Sequence, residues 1–200
     1  MTSIDFEQEQ REIIDKIGSL LKLSEGKGPA WGRFKGDVVC RVVAKYIQPH
    51  LPNGSKIVGP SVYIAGFKFP WEFDLAIVNI EAEPEPFTNA YKGEQIRNIL
   101  EIKMHGVYGK KEKIEEIVSK RITEPFREVA AGYPQIRPAY LAIQETINPI
   151  KPDATRYADL TRKALGNYPA FILKDTRGKV FQPREWQRFI EYIVGKNTDD

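Results

Sequence analysis

Glu101 and Lys103 stand two positions apart in NILEIKM, residues 98–104, a stretch otherwise apolar enough for a buried strand. An unpaired ion in such a place costs on the order of several kcal/mol, so the two charges need a reason. Side chains alternate across a strand, which puts Arg97, Ile99, Glu101 and Lys103 on one face and Asn98, Leu100 and Ile102 on the other. The same rule applied to EFDLAIVN, residues 72–79, groups Glu72, Asp74, Ala76 and Val78 against Phe73, Leu75 and Ile77. If the two strands are sheet neighbours, Asp74 lies beside Glu101. Two carboxylates about 4 Å apart repel by about 4 kcal/mol at an effective dielectric near 20, and the pair calls for a cation or a shared proton. A divalent metal meets that need. All-oxygen ligands suit Mg2+, which takes one or two carboxylates together with water and substrate phosphate. Lys103 is then placed to hold or polarise a water, or to stabilise charge building on a phosphate. The same residues also fit a strand-surface salt bridge, Glu101 with Lys103 or Arg97 and Asp74 on an edge, which contributes about 0–1 kcal/mol. Leu100, Ile102 and the apolar run after Asp74 favour a central strand over that reading.

The elements that must position these residues follow from the apolar period. Phe6, Ile13, Ile14, Ile17, Leu20 and Leu21 recur at helical spacing behind the capping candidates Ser3 and Asp5. A second helix is expected after Gly36, with Val38, Val39, Val42, Val43, Tyr46 and Ile47 on one face, Asp37 as cap and Pro49 as stop. After LPNGS the period changes to two. KIVGPSVYIAGFKF (56–69) and WEFDLAIVNI (71–80) read as strands joined through GFKFP, residues 81–93 as a polar surface loop, and 96–104 as a third strand. A helix from Lys110 to Val129, kinked at Pro125, precedes a fourth strand at 138–146. A tail follows: a helix at 152–166 with Asp153 as cap and Gly166 as stop, a hairpin of AFILKD and KVF about TRG, and a last helix opening at Pro183.

Asp74 followed by Glu101-Ile102-Lys103, on adjacent strands after one helix and before another helix and a fourth strand, resembles the PD-(D/E)xK nuclease superfamily. The resemblance implies an α/β, restriction-endonuclease-like fold with an αβββαβ core at about 36–145 and a mixed central sheet flanked by helices. An extra N-terminal helix and a C-terminal αβα extension at about 151–194 complete one domain of residues 1–200. It further implies Asp74, Glu101 and the backbone carbonyl of Ile102 as metal ligands, Lys103 as the catalytic lysine, and Mg2+ with Mn2+ as a substitute. The implied activity is hydrolysis of phosphodiester bonds by a DNA endonuclease, DNA rather than RNA, with a homodimer as a further expectation. The sequence departs from the family pattern in three places. Phe73 precedes the aspartate, 27 positions separate Asp74 from Glu101, and the helix before the sheet offers Cys40 where many members carry a glutamate, with Asp37 the carboxylate nearest to it. A catalytically inactive module that binds nucleic acid or supports an assembly is the alternative those departures leave open.

Bulk composition agrees with a soluble, cytoplasmic chain. Hydrophobic and charged fractions of 42% and 28% argue against disorder and fibrous repeats, and no apolar run reaches the ~18–20 residues of a membrane span. The acidic start argues against a secretory signal, and Cys40, being single, forms no internal disulfide. The net charge of +3 is small, but residues 151–188 hold nine basic side chains against four acids, a stretch suited to phosphates or simply to solvation. Gln144 is placed to approach the Asp74–Glu101 pair from the next strand, while Glu145 points away. His105 and Tyr108 follow the lysine where substrate would pass, and His50 reads as a surface residue. Trp31 and Trp71 are candidates for stacking bases, whereas Trp186 fits the apolar face of the last helix. Two distant histidines give no support to zinc, and glycine-rich phosphate loops are missing.

Overall fold

The apolar stripes read from the sequence become two faces of one sheet in the computed structural model, which describes residues 5–22, 28–67, 71–105, 111–144, 157–175 and 180–195. Helix α1 (Phe6–Lys22) turns Ile13 and Ile17 inward, and α2 (Pro29–Ile47) does the same with Val39, Cys40, Val43 and Ile47. The start of α2 differs from the expectation. Pro29 opens it with Gly28 as cap, so Asp37 is an exposed mid-helix residue and caps nothing. Proline favours the first turn because its missing N–H has no partner there in any case.

The expected strand 56–69 is two strands, β1 (Ser55–Val58) and β2 (Val62–Ala65), divided at the cis Gly59–Pro60 bond. The expected strand 71–80 likewise divides at Asp74 into β3 (Glu72–Phe73) and β4 (Leu75–Asn79). The polar loop contains a third short strand, β5 (Ala90–Lys92), and β3, β2 and β5 make a small sheet in that order. Residues 68–70 of the expected hairpin connection lie outside the described set. Then β6 (Ile96–His105) and β7 (Arg137–Gln144) form as expected. Between them run α3 (Lys111–Val118), a π-helical turn at Ser119–Thr123 and α4 (Glu124–Gly132). The widened turn stands where a kink was expected, because Pro125 cannot donate to the helix and its ring crowds the carbonyl four residues back.

The central sheet has the order β1-β4-β6-β7-β8, where β8 is Ala170–Ile172. β1, β4 and β6 run antiparallel in succession, and β7 and β8 run parallel to β6. With α2 ahead and α3–α4 between β6 and β7, this is the αβββαβ arrangement. In the tail, α5 (Tyr157–Leu165) ends at Gly166 in the left-handed region, as expected. The expected cap Asp153 lies outside the described residues. The foreseen hairpin divides its work: β8 joins the central sheet, while β9 (Lys174–Asp175) pairs with β10 (Val180–Phe181). Helix α6 (Pro183–Val194) closes the chain.

One face of the sheet packs Ala76, Val78, Ile99, Tyr140 and Ala142 against Ile114, Val118, Phe126 and Leu165. The other packs Leu75, Ile77, Leu100, Ile102 and Leu141 against α1, α2 and α6 through Ile13, Val43, Trp186 and Phe189. Each such aliphatic side chain removed from water stabilises the fold by about 1.5–3 kcal/mol, so β6, covered on both faces and paired on both edges, is held firmly. Among the described residues no helix is long and apolar enough to cross a membrane.

Candidate active site

Asp74 occupies the one-residue joint at which the chain leaves the small sheet and enters the central one. Gly59 makes that joint possible. Its φ of 136° suits glycine, and a Cβ there would lie 2.6 Å from the Asp74 carbonyl oxygen and 2.6 Å from Leu75 Cδ2. Leu75 pairs with Leu100, so one further step along each strand brings Asp74 beside Glu101. The Ile102 amide donates to Asp74 Oδ2 at 2.7 Å, and Lys103 Nζ lies 2.9 Å from the same oxygen. Lys103 also pairs with Glu101 Oε1. All three expected residues therefore converge, Glu101 and Lys103 from the central strand β6 and Asp74 from the joint ahead of its neighbour β4. Glu101 is 16% exposed, Asp74 30% and Lys103 36%, so the group is partly buried where a surface salt bridge would be solvated. Glu72, grouped with Asp74 by simple alternation, accepts from Ser61 and Tyr63 in the small sheet, and its charge still acts on Glu101.

The trio carries two negative charges and one positive. Burial raises the Glu101 carboxyl above its ordinary range; Lys103 pulls it back and Asp74 pushes it up again. For Lys103 burial works downward, but Glu101 and Asp74 together outweigh it and hold the ammonium above its usual value. Cys40 packs with Leu75, Leu100 and Ile102 as expected for the valine face of α2, and its thiol is raised by burial and then by Asp74. The position on α2 that senses the trio's charges thus holds a thiol, not a carboxylate.

Oxygen donors suit a hard cation. Among the described residues no group of three His, Cys, Asp or Glu side chains converges on a metal position. Two carboxylates are nonetheless enough for Mg2+, which completes its shell with water and substrate phosphate. In an extended strand the N–H and C=O of one residue lie on the same edge, so the Ile102 carbonyl is turned towards the side from which Asp74 reaches the Ile102 amide. These oxygens are the donor chemistry such an ion takes, with the Lys103 ammonium in contact with both carboxylates.

Other expectations divide. Gln144 reaches His105, its register partner, with Nε2 2.7 Å from Nδ1, and not the carboxylates. Tyr108 and Glu145 lie outside the described residues. His50 is no surface residue: its side chain is 5% exposed, stacks on Phe6 and sits 2.8 Å from Glu9, which also accepts from buried Trp186. Trp71 donates to Glu128. Part of the basic tail is engaged internally: Arg162 and Arg188 face the buried Glu185, which caps the Ile172 amide, and Lys163 pairs with Glu115. Gly59 and Phe34 stand outside the motifs that the sequence offers. The alternation WGRFKG, residues 31–36, was the available signal for Phe34; Gly59 had none, because its neighbour is fifteen positions away.

No protein-family model and no curated protein matches the sequence. Solved structures do. NucC from E. coli MS115-1 in its cAAA-bound form superposes with a TM-score of 0.61 at 13% identity, covering 96% of this chain and 90% of that one. NucC from P. aeruginosa ATCC27853, also cAAA-bound, gives the same values. The apo form of the E. coli protein gives 0.55 at 12% identity, covering 96% and 91%. This likeness bears out the restriction-endonuclease-like fold, a mixed central sheet flanked by helices.

Proposed function

We propose that the chain is a metal-dependent nuclease that hydrolyses DNA phosphodiester bonds. The observation that carries this reading is the convergence of the Asp74 and Glu101 carboxylates on the Lys103 ammonium at the end of a central strand. The shared fold supports it. Asp74, Glu101 and the Ile102 carbonyl would hold Mg2+, or Mn2+ in its place, and the bound ion would supply Lewis-acid activation of the attacking water and charge neutralisation at the phosphate. The chain's own part is positional. The Ile102 amide fixes the orientation of Asp74, Gly59 lets the backbone of Asp74 sit close against β1, and Lys103 offers an ammonium to a phosphate oxygen. Cutting both strands of a duplex calls for two such sites, which a pair of copies would provide.

The test is cleavage of supercoiled plasmid with Mg2+ or Mn2+ by wild type, Asp74→Ala, Glu101→Ala and Lys103→Ala, with DNA binding measured in parallel. Each substitution should lower the cleavage rate on the order of a hundredfold or more while binding persists. Wild-type protein that binds DNA but cuts under neither metal would instead be the non-catalytic module.

A further inference from the structure

Trp31 and Phe34 stack on one another near the start of α2, ring centroids 5.2 Å apart and planes inclined by 18°. Lys35 Nζ lies 5.7 Å from the centre of the Trp31 ring. Burial does not account for the pair: Phe34 is 42% exposed and is one of only three large exposed hydrophobic side chains among the described residues. An aromatic face open to water with a cation beside it offers what an unpaired base needs, a surface to stack on and a charge for the neighbouring phosphate.

Its position relative to the site is set by α2. Cys40 packs with Leu75, Leu100 and Ile102, so that turn of the helix lies against the strands that carry the trio. Lys35 acts on the His105 ring, two residues past Lys103 at the end of β6. Along the axis of α2, Trp31 lies nine residues and Phe34 six residues from Cys40, about 13 Å and about 9 Å at ~1.5 Å per residue, on the side of the helix turned away from Cys40. Arg41, seven positions from Phe34 and exposed, shares its side of the helix and extends the positive stripe back towards the trio. A strand entering over Trp31 and Phe34 would follow Lys35 and His105 to the carboxylates within a few nucleotides.

We propose that Trp31 and Phe34 form a stacking platform for unpaired bases of the substrate strand a few nucleotides from the scissile phosphate, with Lys35 and Arg41 along its backbone. The chemistry recognised is an unpaired nucleobase followed by phosphates, and it rests on the nuclease reading only for the statement that the strand is substrate.

Binding and cutting can be read separately. Anisotropy of a labelled single-stranded DNA oligonucleotide, in EDTA so that nothing is cut, is compared for wild type, Trp31→Ala/Phe34→Ala, the ring-retaining Trp31→Phe/Phe34→Tyr, and Lys103→Ala, with circular dichroism confirming the fold of each. The platform predicts that the double alanine variant binds at least about tenfold more weakly, that the ring-retaining variant stays close to wild type, and that blunt duplex of equal length binds more weakly than the single strand. The RNA oligonucleotide of the same sequence should respond to the same substitution, since stacking does not read the sugar. Equal binding by wild type and the folded double alanine variant overturns the platform, as does a change confined to oligomeric state. If no protein cuts but the alanine variant loses binding, the platform stands and the nuclease reading falls. If Lys103→Ala stops cutting while Trp31→Ala/Phe34→Ala binds and cuts as wild type, the reverse holds.

Discussion

At the scale of single residues, the chemistry depends on which ionisable groups are kept charged and which are kept inert. Cys40 belongs to the inert class. Its thiol is buried on α2, and burial together with the nearby Asp74 charge keeps it protonated through the neutral range. Only the thiolate attacks electrophiles, so a neutral thiol without access is unreactive. Iodoacetamide should therefore leave the native protein unmodified and label Cys40 only once the chain is unfolded, which mass spectrometry reads directly. Cys40→Ala should retain cleavage at close to the wild-type rate and cost about 1 kcal/mol of stability, the usual size of a small loss of core volume. Rapid labelling of folded protein, or loss of cutting in a folded Cys40→Ala variant, would assign the thiol a part in the reaction. The site trio itself was legible in the sequence for a simple reason. Charged side chains two apart in an apolar strand must share a face, and an unpaired charge there is too costly to be incidental.

At the scale of elements, what the sequence concealed is mostly long-range backbone contact. Periodicity found the helices and the central strands, because burial of one face leaves a trace every two or every three to four residues. It gave no sign that 56–69 and 71–80 each divide between two sheets, since Val62, Ile64 and Phe73 are as apolar as the residues of the central sheet. Nor did it show that α2 begins at Pro29, because Gly32 and Gly36 look like breaks when the packing of the following turns is unknown. Gly59 is the element-scale residue that matters most to the site. Any side chain there meets both a strained φ and the backbone of Asp74. Gly59→Ala should cost about 2–4 kcal/mol, the range for overpacking combined with an unfavourable backbone conformation, and should displace Asp74 from the Ile102 amide. Thermal unfolding and metal titration test this together. The variant should lose both stability and metal affinity, whereas Gly54→Ala, at another positive φ but with open space around its Cβ, should lose stability alone.

At the scale of the whole molecule, folding disfavours the charge on Glu101 while favouring the charge on Lys103. Glu101 ionises less readily in the folded chain than in an unfolded one, chiefly because of burial and despite Lys103. A carboxyl whose folded pKa lies above its unfolded value favours folding only while protonated. In metal-free protein its contribution is therefore fully present below the ordinary glutamate range, is lost as the pH rises through the raised folded value, and stays lost above it. Glu101→Gln removes the charge and keeps the shape, so in EDTA it should unfold at a temperature a few degrees higher than wild type near pH 8. The advantage should shrink as the pH is lowered towards 5, where Glu101 itself takes up a proton. A divalent ion reverses the order. Binding to the native state alone stabilises it in proportion to the logarithm of ligand concentration over Kd, so Mg2+ or Mn2+ should raise the unfolding temperature of wild type and leave Glu101→Gln and Asp74→Asn nearly unmoved. Differential scanning fluorimetry across pH, with and without metal, measures all of these shifts in one series. A wild type that neither gains from metal nor loses to Glu101→Gln in EDTA would mean that Lys103 alone balances the two carboxylates. The trio would then be a structural ion pair, and the hydrolytic reading would have no place to hold its cation.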